Sequence, residues 1–111
     1  MTVRELIDSQ VFGLVNEGED TDRMITEVFC CDLLSVAMGR APADCGWVTV
    51  MGNINTLAVA SLADVSCVVL AEGAVLDEAA GKKAKEQGIT VLCTELPIFD
   101  AALLIHQRLH D

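Results

Sequence analysis

A few positions in the chain combine side-chain types and spacings that could do chemistry. His106 and His110 lie four residues apart, which places both imidazoles on one helical face as half of a metal chelate. No third ligand stands nearby, and His110 is the penultimate of 111 residues, where a helix frays. They read as surface histidines, and no metal or other cofactor is expected. Cys30 and Cys31 are the one adjacent pair among Cys30, Cys31, Cys45, Cys67 and Cys93, and none of the five belongs to a Cys-x-x-Cys pair. Neighbouring residues of a strand point to opposite faces, so these two thiols would not converge. Cys67 and Cys93 fall in apolar runs, where cysteine behaves as a small hydrophobe. All five are expected as free thiols.

Phosphate chemistry has weak support. "GAVLDEAAGKKA" contains a Gly-Lys pair, but the spacing from the first glycine is wrong for a P-loop, and Lys83 stands where Ser or Thr is required. No Gly-x-Ser-x-Gly elbow occurs, and no Gly-x-Gly-x-x-Gly follows a strand. "MGNIN", Met51–Asn55, joins an apolar run to a helix. Its glycine and asparagines could hold a small anion at the helix N-terminus. They could equally form a plain turn, with Gly52 allowing the bend and Asn53 capping the helix. The turn is the preferred reading, because no Lys or Arg stands close enough to complete an anion site. Asp32, Glu72, Cys31 and Cys93 are the candidates for acid, base or nucleophile, and nothing in the sequence pairs them.

The charge balance narrows the partners. Seventeen acidic residues face seven basic ones, for a net charge of −10. Such a field repels nucleic acid and anionic membranes and disfavours polyphosphates. Lys82, Lys83 and Lys85 alternate with Glu78 and Glu86 as a solvated helix face would. Hydrophobic residues make up 52% of the chain and aromatics 4%. The core must therefore be Val, Leu, Ile and Ala, which suits a parallel sheet covered by helices. No apolar run approaches the ~20 residues that span a bilayer, and the opening "MTVRELIDSQ" lacks a signal peptide's apolar stretch. A cytoplasmic location is expected, and the length fits one domain, residues 1–111.

The elements that must position these residues follow from periodicity and punctuation. "TVRELIDSQ" starts a helix, with Thr2 and Glu5 at capping-box spacing and Val3, Leu6 and Ile7 as its stripe. Val11–Val15 reads as a strand, "NEGEDTDR" as an acidic exposed loop, and Glu27–Cys30 as a second strand. Asp32 is read as the cap of a helix with Leu33, Leu34, Ala37 and Met38 as its stripe and Gly39 as its left-handed stop. "GWVTVM", "SCVVLA" and "ITVLCT" are strands. The helices between and after them are "NINTLAVASLAD", a helix capped by Asp77 and stopped by Gly88, and a last one opened by Pro97. Ile98, Ala102, Ile105 and Leu109 give that last helix its buried stripe. Strand and helix alternate from Gly46 onward, so the fold class is α/β, a three-layer α/β/α domain with a mainly parallel sheet. Ligands in such sheets bind at the carboxyl ends of the strands. Here that rim carries Asp32, Gly52, Asn53, Asn55, Glu72, Gly73, Thr94 and Glu95.

With these residues in view, the segment from Gly52 to Gly73 resembles the DRTGG domain, the fold also seen in the N-terminal domain of HPr kinase/phosphorylase. The family's Gly-Asp-Arg-Thr-Asp turn corresponds to Gly52-Asn53-Ile54-Asn55-Thr56, and its Thr-Gly-Gly turn to Ala71-Glu72-Gly73. Asn53, Ile54 and Asn55 replace the family's Asp, Arg and Thr. "CDLLSVAMGRA" and "NINTLAVASLAD" look like stand-alone members from anaerobic bacteria, encoded near hydrogenase subunits and kinase-like regulators. "VLDEAAGKKAKEQGITVLCTELPIFDAA" is similar to the last two βα units. The resemblance implies a regulatory or interaction domain, not a catalytic one. Such domains are found attached to CBS domains, pyrophosphatases, acyltransferases or kinases, and they often sit at dimer interfaces. The function expected is thus regulation through dimerisation and partner binding, with a kinase-like regulator or a hydrogenase-associated protein as possible partners. The alternative is a small-ligand sensor, for a nucleotide or an anion, or a weak enzyme working at the carboxyl rim.

A homodimer is expected through the helix after Gly52. Leu57 and Val59 sit ~200° apart on a helix, so one of them faces away from the sheet and needs a cover. Leu57, Val59, Ala60, Leu62 and Ala63 are the expected interface, with small residues that let a second helix approach. The competing cover is the "DLLSVAMGR" helix or the N-terminal segment of the same chain.

Overall fold

The computed structural model describes residues 1–111. The elements run α1 (Val3–Ser9), β1 (Gly13–Asn16), β2 (Glu27–Cys30), α2 (Leu34–Arg40), β3 (Cys45–Thr49), α3 (Ile54–Ala63), β4 (Cys67–Leu70), α4 (Glu78–Gln87), β5 (Val91–Cys93) and α5 (Ile98–His110). The sheet order is β1-β5-β4-β3-β2. Strands β2 to β5 are parallel neighbours, and β1 pairs antiparallel with β5 at one edge. The three-layer, mainly parallel α/β/α class is as the sequence implies.

The start and stop signals of α1 and α4 act as read. Thr2 and Glu5 close a reciprocal capping box on α1. The hydrogen bonds from the Thr2 backbone and hydroxyl hold the Glu5 carboxyl below its ordinary range. Asp77 caps α4 through the Ala80 N–H, and Gly88 ends that helix in the left-handed conformation. The strands alternate as a pleat must. Cys45, Trp47, Val68, Leu70 and Val91 face α2, α3 and α4, whereas Val48, Cys67, Val69 and Leu92 face α1 and α5. The central strands β3 and β4 are buried along their whole length, as expected of a sheet covered on both sides.

Some expectations need correction. Asp32 does not cap α2: the N-cap residue is Leu33, with no side-chain hydrogen bond, and the Asp32 carboxylate is engaged elsewhere. Gly39 lies inside α2, which ends at Ala41 in extended backbone. Of the expected α2 stripe, only Ala37 is fully buried, while Leu33 and Met38 are exposed. The first strand begins two residues later than read, at Gly13. The last helix buries Ala101 and Ile105 most deeply, while Ile98, Ala102 and Leu109 pack only partly against the core.

Neither the Leu57 side nor the Val59 side of α3 is left uncovered, so the premise for a dimer through it does not hold. Because β2 to β5 follow one another across the sheet, α2, α3 and α4 lie side by side on one face, with α3 packed between the other two. Leu57, Val59 and Ala60 are all buried within the chain. Leu62, 75% exposed, is the apolar residue left facing solvent, and Ala63 is half-buried. The covering helix, α2, was the alternative cover the sequence had offered.

Candidate functional site at the carboxyl rim

The four parallel strands end along one edge, and the loops leaving them form a continuous ledge. Its polar groups largely satisfy one another. The Asp32 carboxylate accepts from the Thr49 hydroxyl at 2.7 Å and from the Val50 N–H at 2.9 Å, tying the exit of β2 to the exit of β3. Asn53 Oδ1 accepts from the Asn55 and Thr56 N–H groups at 3.0 and 3.1 Å. Two of the α3 N-terminal donors, the Asn55 and Thr56 N–H groups, are therefore already used. Gly52 accepts from the Asp77 N–H at 2.9 Å, which brings the loop after β4 over the turn after β3. That approach is why position 52 is glycine: a Cβ there would sit 2.1 Å from the Val75 carbonyl oxygen.

Glu72 and Gly73 both have positive φ, 57° and 73°, in a tight turn closed by Ala74 N–H to Ala71 O. Their own N–H groups donate to the Leu96 and Thr94 carbonyls at 2.8 and 3.0 Å. A Cβ on Gly73 would meet the Glu95 carboxylate at 2.6 Å. The Thr94 hydroxyl accepts from the Leu96 N–H at 3.2 Å. The sequence-read residues thus fall into two groups. Asp32, Gly52, Asn53 and Asn55 build the β2–β3 side, and Glu72, Gly73, Thr94 and Glu95 build the β4–β5 side. Gly73, Thr94 and Glu95 of the second group border an open groove of about 350 Å³ that also takes in Gly13, Ala74, Val75 and Cys93. The loop after β4 leads to α4 on one face and the loop after β5 leads to α5 on the other, so a topological switch point coincides with the groove. No cation lines it.

No family profile matches this chain, and no curated protein matches it. Its fold is shared with a solved structure. That structure is the crystal structure of the CBS and DRTGG domains of the regulatory region of Clostridium perfringens pyrophosphatase, complexed with an activator, diadenosine tetraphosphate. The TM-score is 0.76 at 17% identity, over 96% of this chain and 46% of that one. The chain thus spans less than half the length of this neighbour. A DRTGG-like fold is consistent with the likeness, which at this identity speaks to architecture.

The opposite, amino-terminal edge is built differently. Arg23, its side chain 20% exposed, pairs with Asp44 at 2.8 Å and Asp64 at 2.9 Å and also donates to the Asp64 carbonyl. Burial works against the Arg23 charge, but the hydrogen bonds it donates to Asp44 and Asp64 outweigh it and raise its pKa. Both aspartates have positive φ, at 65° and 60°. Ser66, buried, donates to the Met24 carbonyl at 2.6 Å. A small pocket of about 90 Å³ lies beside this cluster. Nothing in the sequence flagged Arg23, because its partners are far along the chain and follow no motif.

The cysteines sort by edge. Cys45 and Cys67 open β3 and β4 at the amino edge, fully buried. Burial pushes both thiols up to about 12, with a smaller contribution from Glu27 on Cys45 and from Cys45 on Cys67. Cys30, Cys31 and Cys93 end β2 and β5 at the carboxyl edge and are exposed or half-buried. Burial and then Asp32 raise the Cys30 pKa, the wrong direction for a reactive thiolate. All five thiols are free. The His106 and His110 rings meet with centroids 4.3 Å apart and planes tilted by 51°, and no group of three or more ligating side chains gathers anywhere. No helix is long and apolar enough to cross a membrane.

Proposed function

We propose that residues 1–111 form a DRTGG-like regulatory or interaction domain that acts through dimerisation and partner binding rather than catalysis. One observation carries this reading. At the rim where α/β sheets ordinarily place their chemistry, Asp32 ties the exit of β2 to the exit of β3, and Asn53 and Thr94 each bond backbone two residues on. No acid, base and nucleophile converge there. The fold neighbour is itself a regulatory region, which fits the same role. A kinase-like regulator or a hydrogenase-associated protein is the partner class that the sequence resemblance adds.

The dimer surface we propose is α2, not α3. This seven-residue helix buries only Ala37 completely and leaves Leu33, Val36 and Met38 exposed. It stands beside β2, one of the two edge strands of the sheet. A helix this short is not stable without packing, and a second copy would supply it. Sedimentation equilibrium at micromolar concentration tests this: the wild-type chain is expected as a dimer, and Met38→Glu as a folded monomer. A monomeric wild type overturns dimerisation.

The second reading, a small-ligand sensor, is favoured by the open groove at Gly73, Cys93, Thr94 and Glu95. Diadenosine tetraphosphate accompanies the neighbour's structure, but a polyphosphate is poorly suited to a groove without a cation. A thermal-shift screen of adenine and guanine nucleotides separates the readings. A shift abolished by Gly73→Val would favour the sensor.

A further inference from the structure

We infer that the β3–β4 part of the carboxyl rim is a docking ledge for a cationic amphipathic segment of a partner protein. The inference rests on the interaction-domain reading and gives it a partner chemistry. Three aliphatic side chains face solvent here: Val50 at 37%, Ile54 at 44% and Val75 at 81% exposure. They are not scattered. Val75 crosses directly over Gly52, which lies two residues from Val50 and two from Ile54. The bond from the Asp77 N–H to the Gly52 carbonyl fixes the two loops together, and the Val50 and Asn55 N–H groups are bonded within the protein, so the ledge is preformed.

Carboxylates surround it. Asp32 reaches Val50, Asp77, two residues after Val75, caps α4 with its carboxylate while its N–H bonds to the Gly52 carbonyl, and Glu72 and Glu95 belong to the adjoining turn. None of the seven Lys and Arg residues is here. They lie on α1, within α4, at the far ends of α2 and α5, and at Arg23 on the opposite edge. Apolar area framed by one sign of charge selects a partner of the opposite sign carrying its own aliphatic residues. Nucleic acid and anionic lipid are repelled. A second copy docking rim to rim would set these carboxylates against their own kind, with a net charge of −10 on each chain.

The test titrates isotope-labelled protein with a peptide of roughly 18 residues that presents Leu on one helical face and Lys on the other. Lys/Ser and Glu/Leu peptides of equal length serve as comparisons. The Lys/Leu peptide is expected to shift amide resonances of residues 50–54 and 72–77 with micromolar affinity. The doubly substituted Ile54→Ser, Val75→Ser protein should bind it on the order of tenfold more weakly, and the Lys/Ser peptide should lose a similar factor. Both sites are exposed, so the variant should keep its fold. Shifts concentrated in the acidic 16–22 loop, unchanged binding by the double variant, equal binding of the Glu/Leu peptide, or no binding would each overturn the inference. A wild type that sediments as a dimer but ignores the Lys/Leu peptide loses this ledge and keeps the interaction-domain reading. A monomer that binds the peptide at the ledge loses dimerisation only.

Discussion

The two edges of the sheet spend their polar groups in opposite ways. At the amino edge, Arg23 joins three segments distant in sequence: the loop before β2, Asp44 before β3 and Asp64 before β4. The thiols that open β3 and β4 are sealed. At the carboxyl edge, polar side chains bond mostly to nearby backbone, and aliphatic side chains are left in water. The first edge fastens the fold. The second is finished locally and is free to meet something else. Strain and tight packing at one edge therefore bear on stability, and exposure at the other bears on binding.

The largest expected effect comes from the sealed thiols. Their folded pKa values, about 12, lie above the 9.0 of the unfolded chain. The stability they contribute is thus fully present below pH 9 and falls as pH rises towards 12. Each thiol should cost about 1.4 kcal/mol per pH unit in that window. Urea unfolding at about pH 8 and about pH 10 should differ by about 3 kcal/mol from the pair, and Cys45→Ala with Cys67→Ala should flatten the slope. Native alkylation should modify Cys30, Cys31 and Cys93 and spare Cys45 and Cys67. Equal labelling of all five would erase the contrast between the edges.

Arg23→Ala is expected to cost about 2–3 kcal/mol, less than the loss from a fully buried pair because Asp44 and Asp64 are partly solvated. The measurement is again urea unfolding, and a loss under 1 kcal/mol would remove Arg23 from its fastening role.

Gly52→Ala probes the tightest backbone approach on the carboxyl edge. The new methyl must push the Val75 carbonyl aside, at about 2 kcal/mol. It should also displace the docking ledge, so peptide affinity and stability should fall together. Asn53→Ala is the smallest change, about 1 kcal/mol from a lost cap. If Asn53 were instead a ligand contact, the same substitution would abolish a ligand-induced thermal shift while moving the melting temperature little.

What could be read from the sequence follows the range of the interactions. Thr2 with Glu5, Asp77 with Ala80, and Gly88 as a stop act within one turn of their own helix, and all were legible. Asp32 was misassigned because its partners, Thr49 and Val50, lie 17 and 18 residues away, and a capping rule considers only the residues that follow. The cover of Val59 was named only as the less favoured alternative, for a related reason. Periodicity shows that a helix has two apolar sides, but only the strand order reveals that α2 and α4 flank it. Of the rim, the residues were legible. Their division into a finished side and an open groove was not, because it depends on where Val75 and Glu95 come to lie.

The pairing of β1 with β5 has a kinetic consequence. Strands β2 to β5 can assemble from neighbouring βα units, each closing a short stretch of chain. By contrast, Asn16 donates to the Ile89 carbonyl across 73 residues, and the Gly18 N–H reaches Thr90 across 72. Contacts of such separation carry a large loop-closure cost and form late. The nucleus is then expected around β3, α3 and β4, with the first strand zipping on last. Substitutions in β1 would mainly speed unfolding, whereas those at Trp47 or Leu57 would slow folding.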